Sequence, residues 1–146
     1  MSLELILVFA LTAPPSSDRL QSALDRKGIP IRFSQSEQLN KHTGFLPLKY
    51  EAKKSGFYLS QLTYEELTLD YPKAKLTSGV GTSVISFEFG GQFLECASVF
   101  QVASVLVSDF GAQAFDTESD HYLSLGDISR TAADCYEESK KNHGSK

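Results

Sequence analysis

The residues with the greatest chemical range in this 146-residue chain are its two cysteines, its three histidines and one acidic run, Asp116-Thr117-Glu118-Ser119-Asp120-His121. A thiol at a helix N-terminus is a better nucleophile because its pKa is lowered there. Cys96 opens a long apolar segment, so it is the nucleophile of interest, with His42 or His121 as its base; His143 falls in the tail. Neither Cys96 nor Cys135 belongs to a CxxC or Cys/His pattern. The spacing therefore predicts neither a zinc site nor a disulfide framework, and both are expected to be ordinary buried or half-buried thiols. In an extended strand Asp116, Glu118 and Asp120 would project to one side, as ligands of a hard cation do. A calcium loop wants Gly sixth and Glu twelfth, where this chain has His121 and Asp127.

The stretch FEFGGQFLEC, Phe87 to Cys96, poses a separate question: whether Gly90-Gly91 cradles a phosphate or only turns a strand into a helix. It matches neither GxxxxGK[ST] nor GxGxxG, and no Lys or Arg occurs between Lys75 and Arg130. The expectation is a tight turn whose glycines take unusual backbone angles. No GxSxG nucleophile turn is present either. Neither a cofactor nor a metal is expected, and no catalytic residue is assigned.

The elements that would position these residues are legible from patterning. Glu4 to Leu11 is a nearly unbroken apolar run, the mark of a strand covered on both faces. Its lack of upstream positive charge separates it from a secretion signal. A helix follows, capped by Ser17 or Asp18, with Gln21 placed as in a capping box and Gly28 and Pro30 closing it. Ile29, Ile31 and Phe33 alternate as a strand. Phe45–Tyr50 and Phe57–Leu62 read as a hairpin joined by a charged linker ending in Gly56, with Pro47 placing the first of them at an edge or bulge. TYEELTLDYP is either a short helix capped by Thr63 or an irregular crossing. TSVISFEF alternates as a strand. From Gln92 to Phe110 the polar positions Glu95, Ser98, Gln101, Ser104 and Ser108 form one thin stripe, so this helix is buried on most of its circumference, under another element or a partner subunit. An extended segment and a last helix, capped by Asp127 or Ser129 and running to Ser139, complete the chain.

This order predicts an α+β fold: a mainly antiparallel sheet with helices packed on one face and two β-α-β units in a ferredoxin-like manner. An open α/β sheet with helices on both sides is the alternative. A single domain over 1–139 and a flexible tail over 140–146 are expected, in the cytoplasm and without a membrane span. The net charge of −4 disfavours nucleic acid, which needs concentrated Lys and Arg, and favours a basic protein partner. Two segments supply carboxylates beside tyrosines, YEELTLDYP and DTESDHY. Tyrosine is enriched at interfaces and complementary charge speeds encounter, so Tyr64, Glu65, Glu66, Asp70, Asp116, Glu118 and Asp120 are the candidate partner-binding residues.

TGFLPLKY followed by SGFYLSQL, and then SVISFEFGGQFLECASVFQVASVLVSDFGAQAFDTES, give an organisation of hairpin, strand, Gly-Gly turn, small-residue helix, strand and acidic turn. Over most of residues 3 to 135 this resembles the small immunity proteins that bacteria encode beside polymorphic or contact-dependent toxins. The resemblance implies a cytoplasmic, acidic, non-catalytic domain that occludes a cognate toxin domain, often a basic nuclease. Two other classes compete: a small-ligand or regulatory domain that forms a homodimer through the long helix, and an enzyme of unrecognised type using Cys96 and His121.

Overall fold

A computed structural model describes residues 3–10, 12–77 and 83–143. Strands β1 (Leu3–Phe9), β2 (Ile31–Phe33), β3 (Gly44–Tyr50), β4 (Lys53–Leu62), β5 (Ser83–Phe89), β6 (Ala112–Asp116) and β7 (His121–Leu123) form one seven-stranded sheet in the order β2-β3-β4-β5-β1-β6-β7. Every neighbouring pair is antiparallel. The helices are α1 (Ser17–Arg26), α2 (Tyr64–Asp70), α3 (Phe93–Phe110) and α4 (Leu125–His143). The expected α+β architecture is present. Because β5 and β6 flank β1 on either side, they run parallel to each other, and α3 closes a split β-α-β unit around the central strand. By the same alternation α1 joins β1 to a β2 of like direction, with three strands between them.

The central strand explains the apolar run in the sequence. Leu5, Leu7 and Phe9 belong to the main core with α1, α3 and α4, while Ile6 and Val8 face the reverse side. There, Leu67 of α2, with Ala74 and Leu76 beyond it, covers Val84 of β5 and Phe115 of β6. Three helices thus share one face, and the short α2 covers the reverse face over the β5-β1-β6 half only.

Several local details differ from the sequence reading, each for a reason in the packing. Ser16, not Ser17 or Asp18, caps α1 by accepting from the Arg19 amide. The Ser17 hydroxyl is buried and accepts instead from the Glu37 amide at 2.8 Å. Gln21 makes no capping box; it donates to Ile31 O at 2.7 Å and accepts from Phe33 N at 2.9 Å, fixing the edge strand to the helix. The β3–β4 connection is only Glu51-Ala52, both in the left-handed region at φ 51° and 68°, so Lys53 to Gly56 is strand and not linker. That conformation is unfavourable for residues other than glycine. Glu51 is held in it by its backbone N–H, which donates to the Pro30 carbonyl at 2.8 Å, and by Tyr136, whose hydroxyl donates to its carboxylate at 2.8 Å. Pro47 does lie where β3 is locally an edge, because β2 pairs only with Leu48 to Tyr50. Ser124, rather than Asp127 or Ser129, accepts from the first-turn amide of α4, and the helix continues past Ser139 to His143. Residues 144–146 of the expected tail lie outside the described residues, as does Leu11 of the first run.

Among the described helices, α3 is long and apolar enough to cross a membrane. Here it packs against the sheet, α4 and α1. Its polar stripe does not face water throughout: Ser98 is wholly buried, bonded to Ser55 of β4 at 2.9 Å and to Leu94 O.

Candidate functional site

Cys96 and Cys135 are joined in a disulfide, with their Cα atoms 5.8 Å apart, which corrects the expectation of two free thiols. The first turn of α3 and the middle of α4 lie side by side, a meeting of residues 39 apart in sequence that spacing does not reveal. Cys96 therefore has no thiolate in this state. A groove of about 190 Å³ beside it is walled by Leu3, Phe89, Phe100 and Leu123, with Asp116 and Glu118 at its rim. The His121 Nδ1 contacts the Ser119 carbonyl within its own turn. His42 sits with Nδ1 3.1 Å from Glu37 and Nε2 3.1 Å from the Phe45 carbonyl, tying the 37–42 loop to β3.

The Gly90-Gly91 turn takes no unusual angle. Neither glycine is among the residues of positive φ, which corrects the expected reason for the doublet. The Gly90 amide donates to the carboxylate of Glu95 at 3.0 Å, so the chain supplies its own anion where a phosphate would bind. No group of three or more His, Cys, Asp or Glu is placed to hold a metal among the described residues. In the acidic turn Asp116 accepts from the Glu118 amide and the Ser119 hydroxyl.

The two acidic segments meet at one end of the sheet. Thr63 and Glu66 form a full capping box at the start of α2. Beyond its end, Lys73 pairs with Asp120 at 3.8 Å and Tyr122 donates to Ala74 O at 2.6 Å, joining the 72–74 turn to the β6–β7 hairpin. The residues proposed from sequence divide accordingly. Glu66, Asp116 and Asp120 hold caps, turns or ion pairs. The Tyr64 hydroxyl is occupied as acceptor for the Leu76 amide at 2.7 Å. Glu65, Asp70 and Glu118 are exposed, with no described side chain pairing their carboxylates. Between Glu65 and Asp70 stands Leu69, 83% exposed. Sequence reasoning missed it, although it lies opposite the inward stripe of Tyr64, Leu67, Thr68 and Tyr71.

Burial, with the Tyr64 phenol beside it, pushes the Tyr122 hydroxyl up to about 12 from its ordinary 10. The neutral phenol is therefore favoured in the folded state. Its contribution to stability is complete below pH 10 and is lost as pH rises through about 12. Tyr122→Phe is expected to be less stable than the parent at pH 8, and the gap to close by pH 12. Paired urea titrations at the two pH values measure this; a constant gap would contradict it.

A second surface lies on the reverse face beyond the reach of α2, over β2, β3 and β4. Residues alternating with Leu46, Leu48 and Tyr50 of the main core point this way. Arg32 stands opposite Lys49 and Lys49 opposite Lys54, a transverse row of three exposed cations. Arg32 pairs with Asp25 at 3.3 Å; neither lysine is ion-paired among the described residues. Like charges directly opposite one another destabilise a sheet. Two pairs further along the same strands, Phe45 and Tyr58 are 42% and 56% exposed and pack edge to face at 5.2 Å. Phe45 covers Gly56, where an added Cβ would come within 2.6 Å of both the Phe45 ring and the Leu46 carbonyl. Neither the row nor the pair is visible without the strand register. No family model, curated protein or solved structure matches this chain.

Proposed function

We propose that this protein is a non-catalytic protein-binding inhibitor of the immunity type, acting in the cytoplasm, which neutralises a cognate bacterial toxin domain by covering it with the surface built from α2 and the β6–β7 turn. The observation that carries this reading is that two acidic segments, distant in sequence, are joined through Lys73–Asp120 and Tyr122–Ala74, beside a helix that leaves an apolar side chain almost wholly in water. Leu69 is 83% exposed and is flanked within α2 by Glu65 and Asp70, whose carboxylates no described side chain pairs, while Glu118 stands exposed on the β6–β7 turn. An apolar anchor inside a charged rim is the arrangement in which a few residues carry most of the binding energy, and the rim steers a basic partner to it. A nuclease fits this description, since its nucleic-acid surface is built from Lys and Arg. The anchor is Leu69 in place of the tyrosines favoured by the sequence, because Tyr64, Tyr71 and Tyr122 pack inward.

Co-expression with the product of the adjacent gene tests the reading. A stable pair that rescues growth is expected, and Glu65→Lys/Asp70→Lys should weaken that pair at least about tenfold without altering the circular dichroism spectrum. Failure to form any pair would remove the inhibitor reading. A pair indifferent to the charge reversal would move the interface elsewhere.

A further inference from the structure

We propose that two copies of this chain associate through their reverse faces as a closed two-fold dimer, with α2 of each seated on the open half-sheet of the other. The reverse face is a step. On the β5-β1-β6 half α2 stands a helix's thickness, roughly 10 Å, above the strands; on the β2-β3-β4 half no described element covers the strands on this face. Such a step is self-complementary, since a two-fold rotation lays the ridge of one copy into the recess of the other and the recess over the ridge, closing the assembly at two.

The chemistry of the two halves matches in the same sense. The ridge presents Glu65, Glu66, Leu69 and Asp70 outward, because Leu67 and its neighbours are turned to the sheet. The recess offers the row Arg32, Lys49, Lys54 at one side and the Phe45–Tyr58 pair at the other. Lys49 and Phe45, like Lys54 and Tyr58, are four strand positions apart, which is roughly 13 Å; an α-helix with its side chains is about 10–12 Å across. A short helix therefore fits between the cations and the rings, over Pro47 and the side-chain-free strip at Gly56. Leu69 then meets the aromatic pair and the carboxylates meet the lysines. The contact relieves what each half carries alone, an unpaired opposition of Lys49 to Lys54 and a leucine in water.

Other occupants fit less of this surface. Three cations on a chain of net charge −4 are few for a nucleic acid, which gains affinity in proportion to the phosphates neutralised. The proposal stands apart from the inhibitor reading and needs no second protein, although a target and a second copy would compete for α2.

Sedimentation of the purified chain at increasing concentration and at two salt concentrations is the test. A reversible monomer–dimer equilibrium, weaker at high salt, is expected. Lys49→Glu/Lys54→Glu and Glu65→Lys/Asp70→Lys should each weaken self-association about a hundredfold, because like charge then faces like charge across the interface. An equimolar mixture of the two variants should regain a one-to-one dimer, since the acidic ridge of one meets the basic recess of the other and the reversed ridge meets the reversed recess. A parent that stays monomeric up to ~1 mM (about 4 kcal/mol of association), or a mixture that remains monomeric, overturns the proposal. So does a chain that stays monomeric while a labelled oligothymidylate binds it through Lys49 and Lys54.

Discussion

Phe115→Ala is expected to lower the stability of the fold by about 3–5 kcal/mol and to release α2 from the sheet. Phe115 is fully buried, faces Ile6 across the β1–β6 ladder, and touches the rings of Tyr71 at 5.6 Å and Tyr122 at 5.2 Å. It is the largest fully buried side chain of the reverse-face cluster, whose other buried members are aliphatic or alanine. The cavity left by alanine has a rigid sheet for a floor and a seven-residue helix for a roof. So short a helix has little stability of its own and depends on tertiary packing. Partial collapse of the roof would recover some energy at the expense of the position of Leu69 and its neighbouring carboxylates. Denaturant titration measures the first effect, and proteolysis between residues 63 and 77 the second. Phe115→Leu, which preserves most of the volume, should cost far less and leave α2 protected. A loss below about 1 kcal/mol for the alanine variant would mean that α2 does not rest on this side chain.

Breaking the Cys96–Cys135 bond, by reductant or by paired alanine substitution, is expected to cost about 4 kcal/mol, the loop-closure term for a separation of 39 residues. The loop encloses β6, β7 and much of α3 and α4, so its loss loosens the C-terminal part of the fold first. The parent should lose stability when dithiothreitol is added and the alanine pair should not, and the two should coincide once the parent is reduced. An equal midpoint for the parent with and without reductant would show that the crosslink contributes nothing. Cytosolic thiols are kept reduced in most cells, so the reduced value is the one relevant to an inhibitor working there. Ile128 and Ala132 of α4 are buried in the main core independently of the sulfur bond.

The parts of the fold that were legible in the sequence are those written in short-range pattern. The unbroken apolar run of β1 reports burial on two faces, the thin polar stripe of α3 reports a helix enclosed by its neighbours, and Thr63 with Glu66 reports a capped helix start. Illegible were the features that depend on which distant residues meet. Arg32, Lys49 and Lys54 are unremarked surface cations until the strand register sets them in line. Cys96 and Cys135 look solitary until α4 lies along α3, and Ser98 looks wet until Ser55 is found opposite it. The choice of Ser16 over Ser17 as helix cap was decided in the same way, by a loop twenty residues downstream that claims the Ser17 hydroxyl. The candidate surface follows this division. Its acidic segments could be read from composition, whereas Leu69 emerged only once the inward stripe of α2 had been settled by packing.

The two outermost strands, β2 and β7, are three residues each. Beyond them the uncovered margin is short as well, Gly44 to Pro47 of β3 and Ala112 to Gln113 of β6, and Pro47 has no amide to donate, so strand addition finds little template. Association of this molecule is therefore expected broadside, through sheet faces and helices, in a contact that ends at a fixed size instead of extending into fibrils.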